Sequence, residues 1–139
     1  MYSVRNEVGQ LVEIRIWSPV SVEEAVGWGV EHDAAIDRVR GPYVCFVDLV
    51  DATVFPPDAV DAYVATMRNE TRLVRTGTLL PASPTVALQI ERMIRESGNR
   101  ERRAFRNPEQ LEGWLAQVLG PDEQLRLRTL CAMRTARPL

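Results

Sequence analysis

Tyr43-Val44-Cys45-Phe46-Val47-Asp48-Leu49-Val50 is a run of apolar, largely β-branched or aromatic residues broken by one acid, opened by Gly41-Pro42 and closed by Asp51. It lacks the every-second-residue alternation of a strand with one wet face, and eight residues is strand length rather than helix length. It therefore reads as a strand buried on both faces, in the middle of a sheet covered by helices.

Toward the N-terminus, residues 11–17 alternate charge with β-branched or aromatic side chains, and Tyr2-Ser3-Val4-Arg5 precedes them. A hairpin with Gly9 in the turn is expected. Ser21-Val22-Glu23-Glu24 is a capping-box pattern that predicts a helix over 22–40, stopped by Gly41-Pro42. Val22, Ala25, Val26, Gly29, Val30, Ile36 and Val39 supply its apolar face. The phase of that face slips at residues 31–34, which predicts a bend. Gly27 and Gly29 flank Trp28 in mid-helix and point to the close approach of another element, most simply a second helix.

Toward the C-terminus, Pro56-Pro57-Asp58 opens a helix expected over 57–69, because a first-turn proline sacrifices no intrahelical bond. A strand over 73–80 follows, then a helix from Ser83-Pro84 to Ser97 with Leu88, Ile90, Met93 and Ile94 apolar. Residues 103–106 form a short strand. Asn107-Pro108-Glu109-Gln110 then combines a cap, a first-turn proline and a glutamine three residues after the cap, opening a helix over 108–119. Residues 2–119 make a single α/β domain in the order ββαβαβαβα, with a four- or five-stranded mixed sheet and packed helices. Residues 120–139 are expected as a short helix or an arm that docks on a second subunit.

At 139 residues, 45% apolar and 26% charged, the chain has the composition of one globular domain. It has no 18-residue apolar run, and its first residues lack the basic-then-apolar order of a signal peptide, so a cytoplasmic protein without a transmembrane segment is expected. Cys45 and Cys131 are far apart and suggest neither a redox pair nor a zinc site. Every basic side chain is arginine, which excludes a lysine nucleophile or Schiff base. Residues 1–66 carry a net −7 and residues 67–139 a net +5. That asymmetry fits an anion-binding face, an acidic partner or head-to-tail association, or charges that simply interleave on the folded surface.

The layout resembles the STAS superfamily, in particular its SpoIIAA-like branch, which shares its fold with the lipid-carrying CRAL-TRIO domains. The residues behind the resemblance are the hairpin strand at 11–17, the strand ending Phe46-Val47-Asp48-Leu49, and the closing Ala104-Phe105-Arg106-Asn107-Pro108-Glu109-Gln110-Leu111-Glu112-Gly113-Trp114-Leu115. The resemblance implies a non-enzymatic interaction module whose output is binding to a protein partner or to a second copy. Its alternative is a carrier of a small apolar or lipid ligand. Anti-sigma-factor antagonists of this superfamily carry an Asp-Ser pair before the second helix, where the serine is phosphorylated. Counting from Val47-Asp48-Leu49, that pair falls on Pro56-Pro57, so the phosphoswitch is missing and Thr53 is the nearest hydroxyl.

Asp48 and Asp51 lie at the carboxyl end of the central strand, where open α/β sheets place ligands. Two acids there could hold Mg²⁺, although turn and capping roles are the commoner use of such residues. With Thr53 and Asp58 they form one candidate ligand- or partner-binding group. Arg102 and Arg103 form another, within a cluster of arginines interleaved with glutamates. His32 stands beside Asp33, but no second catalytic element accompanies them. No catalytic residues, metal site or cofactor are expected, and a sequence pI near 5.5 speaks against nucleic acid.

Overall fold

Gly9, at φ +51°, turns the chain between β1 (Tyr2–Val8) and β2 (Leu11–Ile16), and Asn6 Nδ2 donates to the carbonyls of Gly9 and Leu11 at 2.9 Å each. The computed structural model describes residues 1–135. After the hairpin come α1 (Val22–Arg38), β3 (Tyr43–Asp48), α2 (Pro57–Arg68), β4 (Leu73–Leu79), α3 (Pro84–Glu96), β5 (Arg102–Phe105), α4 (Pro108–Ala116) and α5 (Pro121–Thr135). The five strands make one mixed sheet in the order β1-β2-β3-β4-β5, antiparallel between β1 and β2 and parallel elsewhere. The fold is α/β, and β3 is its middle strand. Residues 43–46 are each no more than 3% exposed, which a strand sandwiched between two helical layers requires. The strand ends two residues earlier than expected, because Leu49 and Ala52 turn the chain through Ala52 N donating to Leu49 O.

Each parallel strand lies beside its predecessor in sequence, so crossovers of one hand carry α1, α2 and α3 to one face of the sheet. Ile14, Ile16, Tyr43 and Cys45 pack there with Trp28, Tyr63 and Ile90. The alternate residues Leu11, Val44, Phe46 and Leu79 face the opposite way, against Leu111 and Leu115 of α4 and Leu127 and Cys131 of α5. The segment expected as a short helix or an arm is thus a 15-residue helix seated on its own sheet. Residues 136–139 of that segment lie outside the described residues. Arg126 grips Glu13 of β2 through two bonds of 2.8 Å. At the other end of the hairpin, Glu123 accepts from Gln10 N at 2.6 Å.

α1 departs from its sequence reading. It runs unbroken for 17 residues and buries Ala25, Trp28, Gly29, His32, Ala35 and Ile36, a regular three-four spacing. Val26 and Val30, expected inside, are more than half exposed. The slip at residues 31–34 has a chemical cause: the inward residue of that turn is His32, which hydropathy does not score as core. The two glycines do mark close approaches. A Cβ on Gly29 would meet Thr66 Oγ1 of α2 at 2.9 Å, and one on Gly27 would meet Tyr2 Oη at 2.8 Å.

Gly77 of β4 plays the corresponding part on the opposite face, where a Cβ would lie 3.0 Å from Leu111 Cγ and Leu115 Cδ1. Gly77→Val forces α4 away from the sheet and should cost about 1–3 kcal/mol, read as a lowered urea midpoint. Cys131 carries a pH signature of the seating of α5. Burial, with the carboxylates of Glu112 and Asp48 adding to it, pushes its thiol up to about 12 from an ordinary 9. The unfolded chain releases this proton near pH 9 and the folded chain keeps it, so stability should fall as pH rises from 9 toward 12. Urea midpoints measured across that range should fall less steeply in Cys131→Ala than in the wild type.

Candidate functional site

The carboxyl ends of the parallel strands bring the acidic candidates to one end of the molecule, but their carboxylates are already engaged. Asp48 Oδ1 accepts from Val50 N at 3.1 Å, and Asp48 Oδ2 accepts from Arg134 Nε of α5 at 2.5 Å. Asp51 Oδ2 accepts from Arg134 and from Arg15, each at 3.0 Å. Asp58 is exposed in the first turn of α2 and accepts from Ala59 N, its negative charge suited to the positive end of a helix. Thr53 is exposed, with its Oγ1 2.5 Å from Ser18 Oγ and its backbone N–H donating to the same Ser18 oxygen. A groove of about 410 Å³ runs between the hairpin and α5 beside these acids, with Ser3, Arg5, Arg15 and Met133 among its walls.

The two arginine candidates part company, because adjacent strand residues point to opposite faces. Arg103 faces α4, its guanidinium carbon 5.2 Å from the centre of the Trp114 ring, with Arg75 stacked on the same ring at 4.6 Å. Arg102 turns inward beneath α2. The acids at the carboxyl ends and Arg102 at the start of β5 therefore do not form one site.

Arg102 belongs instead to a buried ionic cluster. Its Nη2 donates to Glu70 Oε2 at 2.5 Å and to Met67 O at 3.0 Å, at the C-terminus of α2 where a cation is favoured. Glu70 Oε1 lies 2.6 Å from His32 Nε2. His32 Nδ1 is 3.2 Å from Asp33 Oδ1, whose side chain is exposed, so a chain of polar contacts runs from the surface to Arg102. The side chains of His32, Glu70 and Arg102 are only 1%, 5% and 4% exposed. Burial, then the charge of Glu70, holds the phenol of neighbouring Tyr43 well above its ordinary range, so it stays neutral.

The cluster closes one end of a cavity of about 60 Å³ between the sheet and α1–α3. Ile14, Cys45, Val47 and Thr76 line its sheet side. A row of rings lines the other: Trp28 lies 4.8 Å from His32 and 5.1 Å from Tyr63, which in turn meets Phe55 at 5.7 Å. Burial, with Glu24 and Tyr2 adding to it, also raises the Tyr63 phenol. Burial likewise raises the Cys45 thiol, so it is not a thiolate nucleophile at neutral pH. Among the described residues no group of three or more His, Cys, Asp or Glu could hold a metal ion, and no helix is long and apolar enough to cross a membrane.

Comparison with protein-family models, with curated proteins and with solved structures finds no match.

Breaking the cluster tests its weight. Glu70→Ala leaves a buried guanidinium without its carboxylate and should cost about 3–5 kcal/mol by chemical denaturation. Arg92→Ala, which removes an exposed i,i+4 pair with Glu96, should cost less than about 1 kcal/mol in the same assay.

Proposed function

We propose that the chain is a non-enzymatic protein-interaction module of STAS-like, SpoIIAA-like build, acting by binding a protein partner or a second copy. The sequential strand order supports the STAS-like reading, as does the strand-turn-helix ending in which Phe105 precedes the Asn107 cap and Trp114. The observation that carries the interaction reading is the loop between β3 and α2. Gln89 of α3 both accepts from Phe55 N at 2.9 Å and donates to Phe55 O at 2.8 Å, so the loop is pinned through its backbone. The residues preceding these two in the chain, Val54 and Leu88, are each more than 60% exposed. A rigid loop that presents apolar side chains to solvent is the usual makeup of a docking surface, since little ordering entropy remains to be lost on binding. Regulation by phosphorylation at the start of α2 is not part of this reading, because Pro56 and Pro57 occupy it.

Asp48 and Asp51 act in this reading as the acceptors that seat α5, rather than as metal ligands or acid-base groups. A lipid-carrier role draws little support from the interior: a cavity of about 60 Å³ is far below the ~300 Å³ at which ligand pockets usually begin.

The test is a Val54→Asp/Leu88→Glu double variant. Both positions are exposed, so the unfolding free energy from urea titration should stay within about 0.5 kcal/mol of wild type. Self-association by analytical ultracentrifugation, or recovery of specific partners from the native host by quantitative mass spectrometry, should fall at least tenfold, while Arg103→Glu leaves it intact. Association unchanged in the double variant, or turnover of a substrate that depends on Asp48, would overturn the reading.

A further inference from the structure

The geometry points to a second binding capability, independent of the loop at Val54: the cavity beneath α1–α3 is a site for a small, uncharged, mainly apolar molecule bearing an acceptor oxygen. Short ketones, aldehydes and esters are the class. Three residues lining the cavity, Trp28, Tyr63 and Arg102, are each less than 8% exposed, and Trp28 Nε1, Tyr63 Oη and Arg102 Nε have no hydrogen-bond partner among the described residues. Native interiors rarely leave buried polar atoms unpaired, and here, with Thr76 Oγ1, four belong to residues lining one space.

The chemistry of those atoms selects the ligand. An indole N–H and a guanidinium N–H can only donate, so their complement is an acceptor. Both donors flank the same pair, Trp28 stacking on His32 and Arg102 holding Glu70. An anionic ligand would be placed beside Glu70 with its charge stripped of water, which disfavours carboxylates and phosphates. The remaining walls are mainly apolar, Ile14, Val47, Ile90 and Met93 among them, with Thr76 and Thr78 on the sheet side able to donate or accept. A space of about 60 Å³ restricts the molecule to a handful of non-hydrogen atoms. Glu70 connects the cavity with the surface. That residue sits in the connection between α2 and β4 and is the one side chain shared between the cavity and a surface cleft lined by Asp33, Tyr43, Asn69 and Arg72.

Nitrogen-15 correlation spectra of the whole chain read both donors directly, with acetone as the acceptor-bearing probe and xenon as an apolar probe that cannot accept. Acetone should shift the Trp28 Nε1–H and Arg102 Nε–H resonances saturably. Trp28→Phe keeps an aromatic wall and removes the donor; it should weaken acetone about tenfold and leave xenon binding unchanged. Three results would each overturn the proposal. They are the absence of any saturable acetone shift at the two N–H groups, an equal effect of Trp28→Phe on both probes, and a water cross-peak to the indole N–H that acetone does not displace. If Trp28→Phe fails to fold, the wild-type Arg102 Nε–H response to acetone decides alone.

Discussion

A parallel sheet has to be dry on both faces, and crossovers of a single hand cover only one of them. Most of the molecule follows from that constraint. With α1, α2 and α3 all on one side of β2–β5, the far side of β3 exists as a buried surface only because α4 and α5 close over it. The last helix is therefore part of the core, and Leu127 of α5 is as deeply buried as Leu11 of the hairpin. Its attachment is strongly electrostatic: Arg126 and Arg134 reach Glu13, Asp48 and Asp51 across a strip of sheet that carries charge where a helix-covered strand usually carries aliphatic side chains. The excess of acids early in the chain and of arginines late in it is resolved here in part, as pairing within one molecule.

The opposite layer contains the structure's least expected feature. A carboxylate, an imidazole and a guanidinium lie together beneath three helices, flanked by rings on one side and a small cavity on the other. The guanidinium tolerates burial because Arg102 Nη2 holds both Glu70 and the Met67 carbonyl, and replacing such a group with aliphatic residues need not weaken a fold. The cluster separates two regions that the interaction reading and the small-ligand reading use independently, the pinned loop at the carboxyl ends and the space bounded by Glu70. The rings of Phe55, Tyr63, Trp28 and His32 run from one region to the other in van der Waals succession.

Much of the fold was legible because local chemistry and tertiary demand agree. The apolar run at 43–47 has the length and β-branched content of an inner strand, and Ser21, Ser83 and Asn107 cap the helices whose starts they mark. Legibility failed where polarity and position diverge. Val26, Val30 and Leu88 are apolar yet face water, while His32 is polar yet faces inward, so a hydropathy count misplaces the core side of α1. Glu70 stands in a loop among ordinary surface residues, and Arg102 in a dense arginine run, so neither carries a local sign of burial. Their partners lie 38 residues or so away along the chain, for Glu70 and His32, and 32 residues away for Glu70 and Arg102, distances at which spacing rules say nothing. The pairing of Arg126 with Glu13, 113 positions apart, is still further beyond any periodicity.

The hairpin's grip on α5 also differs in range from the pairing of the strands. Every strand pairs with the one made just before it, so the sheet can assemble progressively from short-range encounters. The bonds from Glu123 to Gln10 and from Arg126 to Glu13 instead join residues 113 positions apart and so close a very long loop. α5 is accordingly the clasp, tying late residues of the described chain back onto its first hairpin.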